Sequence, residues 1–436
     1  MIALSIIRNN VDQIRQSCLE RGVEAPIDLI LDLDTERNPI LNKVEQMRAA
    51  RNTAGKAIGT AETEEERQSL IAEQREVSGE LDELEKQLNN LETQIHTLLL
   101  EIPNLFHADV PIGDENDSLI ILEGDGKNGD ETKYSDPIVV KDVEVPEVDE
   151  SFKTHWEIGE ALGLIDFDRG VKLSGSNFYL LRNAGARLQR SLISWMLDSH
   201  LEQGYSEVYP PVLINEQALI GTGQLPKFAN TMFQTTDGRW LIPTAEVPVT
   251  NMYSDEILKN EELPIHHTAY SPCFRNEQFS AGNAVRGIKR GYQFDKVEMV
   301  RFERPTESWQ ALEKLLENAL ELVRALGFKY RVLKLASKDL TFASAMTYDI
   351  EIWAPGSKEW FEVSSISNFL DFQARRANLR FRNAEGKVDY LHTLNGSGLA
   401  LPRVLAALIE VYQNENGTVS LPNVLEPYFG KNLHLA

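Results

Sequence analysis

The sequence predicts an α+β protein in which an N-terminal antiparallel coiled-coil hairpin of two long helices precedes a domain with an antiparallel β-sheet flanked by helices. Three observations lead to this prediction: a sustained heptad repeat of apolar residues near the N-terminus, pairs of alternating strands joined by turns in the second half, and amphipathic helices between them. The 436 residues are enough for two or more domains with a sizeable core.

Composition and charge limit the classes of function. Hydrophobic residues make up 42% of the chain, as in ordinary globular proteins, and no run of about 18 apolar residues predicts a membrane span. The N-terminus has neither a basic segment nor a small-residue cleavage site, so we interpret it as structure and not as a signal peptide. The net charge of −23 argues against a general nucleic-acid coat protein but allows RNA binding through a local basic track.

The cysteines and histidines predict neither a disulfide framework nor a structural metal. Cys18 and Cys273 are far apart in the sequence, which fits a reducing cytosol and hence a cytoplasmic protein. No Cys/His group has the spacing of a zinc site, and His266 and His267 are adjacent, so we expect no zinc.

Residues 1–106 are predicted to be helical and to carry the coiled-coil arm. Apolar residues recur with heptad spacing from Leu70 to Leu98, and a matching stripe runs from Ile40 to Ile58. With a tip near residues 59–63, the two stripes form the seam of an antiparallel hairpin. Basic residues along the arm either contact phosphate or pair with neighbouring glutamates; they are Lys43, Arg48, Arg51, Lys56, Arg67, Arg75 and Lys86.

Residues 107–150 form an acidic segment rich in Asp, Glu, Gly and Pro, and residues 151–436 form the second domain. Pro103 ends the helical region, because proline cannot continue a helix. We interpret 107–150 as a linker that contains a strand or two, such as Pro137–Val143.

The segment 271–300 predicts a strand, a turn at Gly282 and a second strand, around which the second domain is organised. Side chains alternate across a strand, so Arg275 and Glu277 share one face. The return strand places three more side chains on one face: Phe294, Lys296 and Glu298. An aromatic platform, a guanidinium and a carboxylate on one sheet face suit a ligand with a flat base, a phosphate and an ammonium group. An isolated pattern of this kind also fits a charged hairpin on a surface.

This hairpin resembles motif 2 of class II aminoacyl-tRNA synthetases, in the version found in seryl-tRNA synthetases of bacterial type, and the resemblance extends over nearly the whole chain. GYSEVYPP at 204–211 resembles motif 1, GTGQLPKF at 221–228 is distinctive of the seryl enzymes, and LNGSGLALPR at 394–403 resembles motif 3. The chain departs from many family members at Asn283-Ala284, at Tyr292 and at Leu401-Pro402.

Two further stretches match residues with which this family binds its substrates. Thr244-Ala245-Glu246 corresponds to the serine-binding TAE motif, although Thr244 as a cap and Glu246 in a first helical turn also fit a helix start. Glu362-Val363-Ser364-Ser365 corresponds to the residues that surround ATP and its Mg²⁺. Strict alternation places Glu362 and Ser365 on opposite faces, so we expect the strand to twist or end there.

The resemblance implies a role for each site residue. Arg275 would contact the α-phosphate and the substrate carboxylate, Arg403 the γ-phosphate, and Glu362 with Ser365 the Mg²⁺ that accompanies ATP. The residues expected to be catalytic are Arg275, Glu298 and Arg403. The serine-binding set is Thr244, Ala245, Glu246, Arg275, Glu298, Asn395 and Ser397. The ATP-binding set is Arg275, Asn276, Glu277, Phe294, Glu362, Val363, Ser364, Ser365 and Arg403.

The activity implied by the resemblance is that of a homodimeric serine–tRNA ligase. It would activate L-serine with ATP to seryl-adenylate, then transfer serine to the 3′ end of tRNA(Ser), and of tRNA(Sec) as the family generally allows. The arm would hold the long variable arm of the tRNA. Two alternatives stay open. A catalytically silent paralogue would bind RNA or protein through the arm, and a ligase that charges a carrier protein would belong to relatives that lack the long arm.

Overall fold

The computed structural model describes residues 1–147, 150–277 and 286–436, apart from the side chains of Glu66 and Glu76. The described residues divide into two compact units, which we call the arm unit (Ile2–Leu19 with Val23–Pro103) and the core unit (Met1, Glu20–Gly22 and Asn104–Ala436). The turn expected at Gly282 and the departures at Asn283-Ala284 lie outside the described residues. In the described part of the chain, no helix is long and apolar enough to cross a membrane.

The arm unit consists of helices, with the long hairpin that the heptad pattern predicts. Its helices are α1 Leu4–Asn9, α2 Val11–Glu20, α3 Ile27–Thr60 and α4 Glu64–Leu99. The seam of α3 and α4 buries Val44, Leu81 and Leu88, since the heptad residues of both helices meet there. Across the seam, Lys43 Nζ lies 2.5 Å from Glu80 Oε1 and Arg48 Nε lies 2.7 Å from Glu85 Oε1. These two basic residues therefore pair with glutamates, as one of the two interpretations expected.

The core unit contains the remaining helices and all strands of the described chain. The helices are α5 His155–Ala161, α6 Phe167–Ser174, α7 Asn183–Glu202, α8 Glu216–Thr222, α9 Glu246–Thr250, α10 Ser308–Ala325, α11 Phe372–Ala377, α12 Leu401–Val411 and α13 Glu426–Phe429. The strands are β1 Leu119–Asp125, β2 Asp130–Val139, β3 Ile165–Asp166, β4 Leu180–Leu181, β5 Ser206–Glu207, β6 Leu213–Ile214, β7 Trp240–Leu241, β8 Ile257–Lys259, β9 Ile265–Phe274, β10 Gln293–Glu303, β11 Lys329–Lys334, β12 Met346–Ala354, β13 Glu359–Leu370, β14 Arg380–Arg382, β15 Val388–Tyr390, β16 His392–Ala400, β17 Val419–Ser420 and β18 His434–Leu435.

Among the described residues, nine strands form the main sheet in the order β2-β1-β11-β12-β13-β16-β10-β9-β5. Every neighbouring pair is antiparallel except β5 and β9, so the predicted antiparallel sheet is confirmed with one parallel edge. That edge strand follows α7, as the helix and strand pattern before Pro210-Pro211 predicts.

The two faces of β10 show how the sheet separates the core from the candidate site. Val297 and Met299 are fully buried in the main hydrophobic core, and Arg301 Nη2 donates to Asn318 Oδ1 of α10 at 2.8 Å. Because side chains alternate, Phe294, Lys296 and Glu298 project from the opposite face. The helices thus cover one face of this strand and leave the other for a ligand.

The acidic segment expected to be a linker supplies two strands of the main sheet. β1 and β2 pair with each other, and β1 extends the sheet by pairing with β11. Ile120 is fully buried and belongs to the main core. The apolar run Leu119–Leu122 is the sequence signal for β1, whereas the strand expected over Pro137–Val143 ends at Val139.

Candidate functional site

A cavity of about 690 Å³ opens on the face of the sheet that carries Phe294 and Glu298. It brings together most residues that the motifs predict, although these are dispersed over 160 positions of the chain between Thr244 and Arg403. The predicted residues that line it are Thr244, Glu246, Arg275, Asn276, Glu277, Phe294, Glu298, Glu362, Ser365, Asn395, Ser397 and Arg403. The predicted residues that do not line it are Ala245, Val363 and Ser364.

One end of the cavity combines a ring with a guanidinium. The Cζ atom of Arg275 lies 5.1 Å from the centre of the Phe294 ring, and its Nε donates to the carbonyl of Pro243 at 3.3 Å. The β9–β10 pairing, in which Phe294 lies opposite Cys273, places these side chains together. Glu277 forms an ion pair with Arg290 at 2.8 Å. A flat aromatic base and a phosphate match this end chemically.

The other end of the cavity is a network around Glu298. Its Oε1 accepts a hydrogen bond from Asn395 Nδ2 at 2.9 Å, and its Oε2 lies 2.6 Å from Lys296 Nζ. Ser397 lies directly opposite Glu298 in the β10–β16 pair. These are buried groups, so a small polar ligand there would meet both donors and acceptors in fixed positions.

Glu246 lies beside this network as a second buried carboxyl group. Gln373 Nε2 donates to its Oε1 at 2.7 Å, and Gln373 Oε1 accepts from Thr393 Oγ1 at 2.6 Å. Burial, and after it the charge of Glu298, raises the pKa of Glu246 to about 7. Glu246 lies in the first turn of α9, as the helix-start interpretation expected, but the N-cap is Ala245 and not Thr244. Thr244, one residue earlier, accepts the backbone N–H of Glu246 on its Oγ1 at 3.2 Å.

A bulge in β13 resolves the expected conflict between Glu362 and Ser365. Ser364 pairs with Ile350, and Glu362 pairs with the next residue, Glu351, so Val363 is the extra residue. The extra residue reverses the alternation, and both Glu362 and Ser365 line the cavity. Val363 is instead buried in the main core, so its side chain does not line the cavity.

The other two predicted residues outside the cavity are also buried. Ser364 Oγ donates to the carbonyl of Ser397 at 2.6 Å and so ties β13 to β16. Ala245 is fully buried in a second apolar cluster with Val249 and Leu258. Their side chains act in packing and in joining strands.

Charges of both signs meet where β12, β13 and α12 converge. Arg403 Nη1 lies 3.2 Å from Glu362 Oε2 and donates to the Glu362 carbonyl at 2.6 Å. Burial opposes ionisation of Glu362, but Arg403 and Arg275 together lower its pKa. Burial and the Glu362 charge raise the pKa of Asp349, which lies opposite Ser365. Pro402 and Arg403 fall in the first turn of α12, where proline is tolerated.

The oxygen atoms of this corner fit a hard cation such as Mg²⁺. Asp349 Oδ1 is buried and has no hydrogen-bond partner among the described residues. Glu362 and Ser365 add a carboxylate and a hydroxyl oxygen, and Mg²⁺ prefers such ligands together with substrate phosphates. Across the described chain, no group of three or more His, Cys, Asp or Glu side chains is placed to hold a metal by itself.

Several residues of the cavity were not assigned from the sequence. Lys296 shares the face of Phe294 and Glu298, so the alternation of the strand was a usable signal. Lys289 and Arg290 line the cavity just before β10, and Asp349 faces it from β12. Gln373 carries no local signal, because only the tertiary structure places α11 beside Glu246.

Two family models and several known proteins match this chain. A family model for the seryl-tRNA synthetase N-terminal domain matches residues 1–106, and one for the class II tRNA synthetase core domain (G, H, P, S and T) matches residues 233–412. A serine–tRNA ligase of Chloroflexus aurantiacus is 49% identical over 99% of this chain and 98% of its own length. One from Thermomicrobium roseum is 48% identical over 99% and 94%.

Solved structures give the same result. A seryl-tRNA synthetase from Pyrococcus horikoshii, crystallised with ATP, superposes with a TM-score of 0.88 at 35% identity, over 100% of this chain and 99% of that one. A cytoplasmic serine–tRNA ligase from Naegleria fowleri in complex with AMP has a TM-score of 0.81 at 25% identity, over 98% and 95%.

Proposed function

The chain belongs to the seryl-tRNA synthetase family, and from this premise we propose that it activates L-serine with ATP and transfers the serine to the 3′ end of tRNA(Ser). The observation that carries the proposal is the cavity in which the motif residues Arg275, Glu298 and Arg403 converge. A catalytically silent paralogue would be expected to lack one of these groups or Glu362, and all are present.

In the first step, the serine carboxylate attacks the α-phosphorus of ATP, the bond to the bridging oxygen breaks, and pyrophosphate leaves. Positioning and neutralisation of charge account for most of the rate in such a displacement. We assign Arg275 to the α-phosphate and the serine carboxylate, because its guanidinium lies over the Phe294 ring and its charge acts on both Glu246 and Glu362. Arg403 binds the γ-phosphate and exchanges its contact with Glu362 for that phosphate.

The adenine base stacks on Phe294, and Glu277 accepts a hydrogen bond from its amino group. Glu277 forms an ion pair with Arg290 in this structure, so ATP would compete with Arg290 for part of its carboxylate. Glu362, Ser365 and Asp349 would hold the Mg²⁺ that accompanies ATP, and this ion would supply charge neutralisation for the phosphates. The raised pKa of Asp349 and its buried Oδ1, which has no hydrogen-bond partner among the described residues, support this assignment.

The serine side of the cavity recognises two groups of the substrate. Glu246 and Thr244 face the ammonium group, and a cation beside Glu246 would favour its ionised form. Glu298, held by Asn395 and Lys296, accepts the serine hydroxyl, with Ser397 opposite. Hydrogen bonds already hold Glu246, Glu298 and Asn395 in place, which supports these assignments.

We propose that the arm unit binds the long variable arm of the tRNA, that the protein is a homodimer, and that tRNA(Sec) is also a substrate. The match of residues 1–106 to the family's N-terminal domain supports the role of the arm. Because tRNA charging serves protein synthesis, we place the reaction in the cytoplasm.

The test is pyrophosphate exchange measured with each amino acid in turn, with and without tRNA. A site that hydrogen-bonds a hydroxyl rejects an analogue without it, so alanine should be activated less well than serine by a factor on the order of 10⁴. Threonine keeps the hydroxyl but carries an additional methyl group, so its rate of activation shows whether the pocket excludes that methyl group sterically. Alanine activation within tenfold of serine would refute the serine assignment.

A further inference from the structure

His155 is fully buried and connects two elements on the ATP side of the cavity. Its Nδ1 lies 2.7 Å from Glu410 Oε1, and the backbone N–H of Ile288 approaches its Nε2 at 3.2 Å. Glu410 lies near the end of α12, the helix whose first turn holds Arg403. Ile288 belongs to the segment 286–292 that leads into β10, which we call the return limb.

Glu410 determines which nitrogen of His155 carries the proton. The carboxylate of Glu410 accepts from the backbone N–H of His155 at 3.0 Å, and from the N–H and the hydroxyl of Ser357 at 2.8 and 2.6 Å. A carboxylate can only accept, so Nδ1 of His155 carries the hydrogen and donates it to Glu410. The neutral ring then presents an Nε2 lone pair, which accepts the N–H of Ile288.

Gly287 gives an independent indication that the return limb is fitted to this ring. Its φ is +91°, and a Cβ at this position would lie 2.1 Å from His155 Nε2. Only glycine therefore lets the backbone approach the imidazole. The next side chain, Ile288, is buried in the main core. The limb is held at this point by a backbone hydrogen bond and by the burial of one side chain.

The two residues that follow Ile288 reach the nucleotide side of the cavity. Lys289 and Arg290 both line it, and Arg290 pairs with Glu277. The carbonyl of Lys289 accepts a hydrogen bond from Arg403 Nε at 3.4 Å. The return limb is thus tied to α12 twice: directly through Arg403, and through His155 and Glu410.

We infer that His155 is a positioning residue for ATP. Its ring links the buried carboxylate of Glu410 to the backbone N–H of Ile288. This link holds Lys289, Arg290 and Arg403 in their places around the phosphates. Among the described residues, the hydrogen bonds of His155, Glu410 and the Ile288 N–H do not involve the serine side of the cavity. This inference rests on the proposed function and adds a residue to it that touches no substrate.

Each of two substitutions keeps one hydrogen bond of the His155 ring and removes the other. His155→Asn places an amide N–H near the position of Nδ1 and keeps the bond to Glu410, but does not reach Ile288. His155→Gln places an amide oxygen near the position of Nε2 and can accept the Ile288 N–H. In pyrophosphate exchange, His155→Asn should raise the KM for ATP about tenfold and leave the KM for serine unchanged, since one buried hydrogen bond is lost. His155→Gln should keep the KM for ATP near the wild-type value.

A second readout does not depend on activity. Hydrogen exchange of the Ile288 amide should be faster in His155→Asn than in the wild type and slow again in His155→Gln. Gly287→Ala, which pushes the limb off an intact His155, should reproduce the ATP effect. An unchanged KM for ATP in His155→Asn, or equal losses for both substrates in the Asn and Gln variants, would overturn the inference. A wild-type protein without serine-dependent exchange would refute the proposed function. The hydrogen-exchange rate of the Ile288 amide would still show whether His155 holds the return limb.

Discussion

The ionised carboxylate of Glu246 should cost the ligand-free protein stability, and serine binding should depend on that same charge. Glu246 is 7% exposed, and its pKa rises from 4.5 to about 7 on folding, because burial and Glu298 both disfavour the charge. A carboxyl whose pKa is raised by folding stabilises the protein below the unfolded pKa, and this contribution is lost as the pH rises through the folded value. Glu246→Gln removes the titration but keeps an oxygen that accepts from Gln373.

The magnitude follows from the two pKa values. Relative to a group that does not titrate, Glu246 should lower the free energy of unfolding by about 3 kcal/mol at pH 8 but by only about 1 kcal/mol at pH 5.5. Glu246→Gln should therefore be more stable than the wild type, with a gap in the free energy of unfolding that widens by about 2 kcal/mol between these pH values.

Urea unfolding without ligands, followed by tryptophan fluorescence for both proteins at pH 5.5 and 8, measures this gap. The same variant should raise the KM for serine about tenfold to a hundredfold in pyrophosphate exchange, because a charge-assisted hydrogen bond to the ammonium group is lost. Its KM for ATP serves as the internal control and should not change. A stability gap that is absent, or equal at the two pH values, would refute the reasoning that burial holds the Glu246 pKa near 7.

Two further perturbations test the ATP end and the arm. Arg275→Ala should lower serine-dependent exchange by about 10² to 10³ or more, since it removes a charge that faces the transition state; exchange near the wild-type rate would exclude the assignment of this guanidinium. Removing residues 49–80 and joining the ends by a short glycine turn keeps the buried base of the hairpin at Val44, Leu81 and Leu88. Exchange without tRNA should then stay within about twofold of wild type, while transfer to tRNA should fall at least about tenfold because phosphate contacts along the arm are lost. An equal fall in both would mean that the arm supports the core unit and does not serve tRNA alone.

Local patterns in the sequence were sufficient to predict those elements in which apolar or polar residues recur at a regular spacing. The heptad stripes predicted the α3–α4 hairpin, because each helix carries its own apolar heptad pattern that forms one side of the seam. Alternation along β10 likewise placed Phe294 and Glu298 on one face, and most of the residues assigned from the motif resemblance line the cavity. In each case the information lies within one element.

Features that depend on pairing between distant segments needed the tertiary structure. The bulge at Val363 exists only in the register between β12 and β13, and it alone brings Glu362 and Ser365 to one face. The acidic segment 107–150 was interpreted as a linker because it is rich in Asp, Glu, Gly and Pro. Its strand β1 nevertheless belongs to the main sheet, because it pairs with β11.

The pKa of Glu246 and the tautomer of His155 were likewise beyond the sequence. Both follow from which groups fold around the side chain: Glu298 and Gln373 in one case, Glu410 and Ile288 in the other. The sequence by itself determined which chemical groups this protein has and on which face of each element they lie. Tertiary structure alone decided their partners and their charge, since burial and hydrogen bonding are properties of neighbours that are distant along the chain.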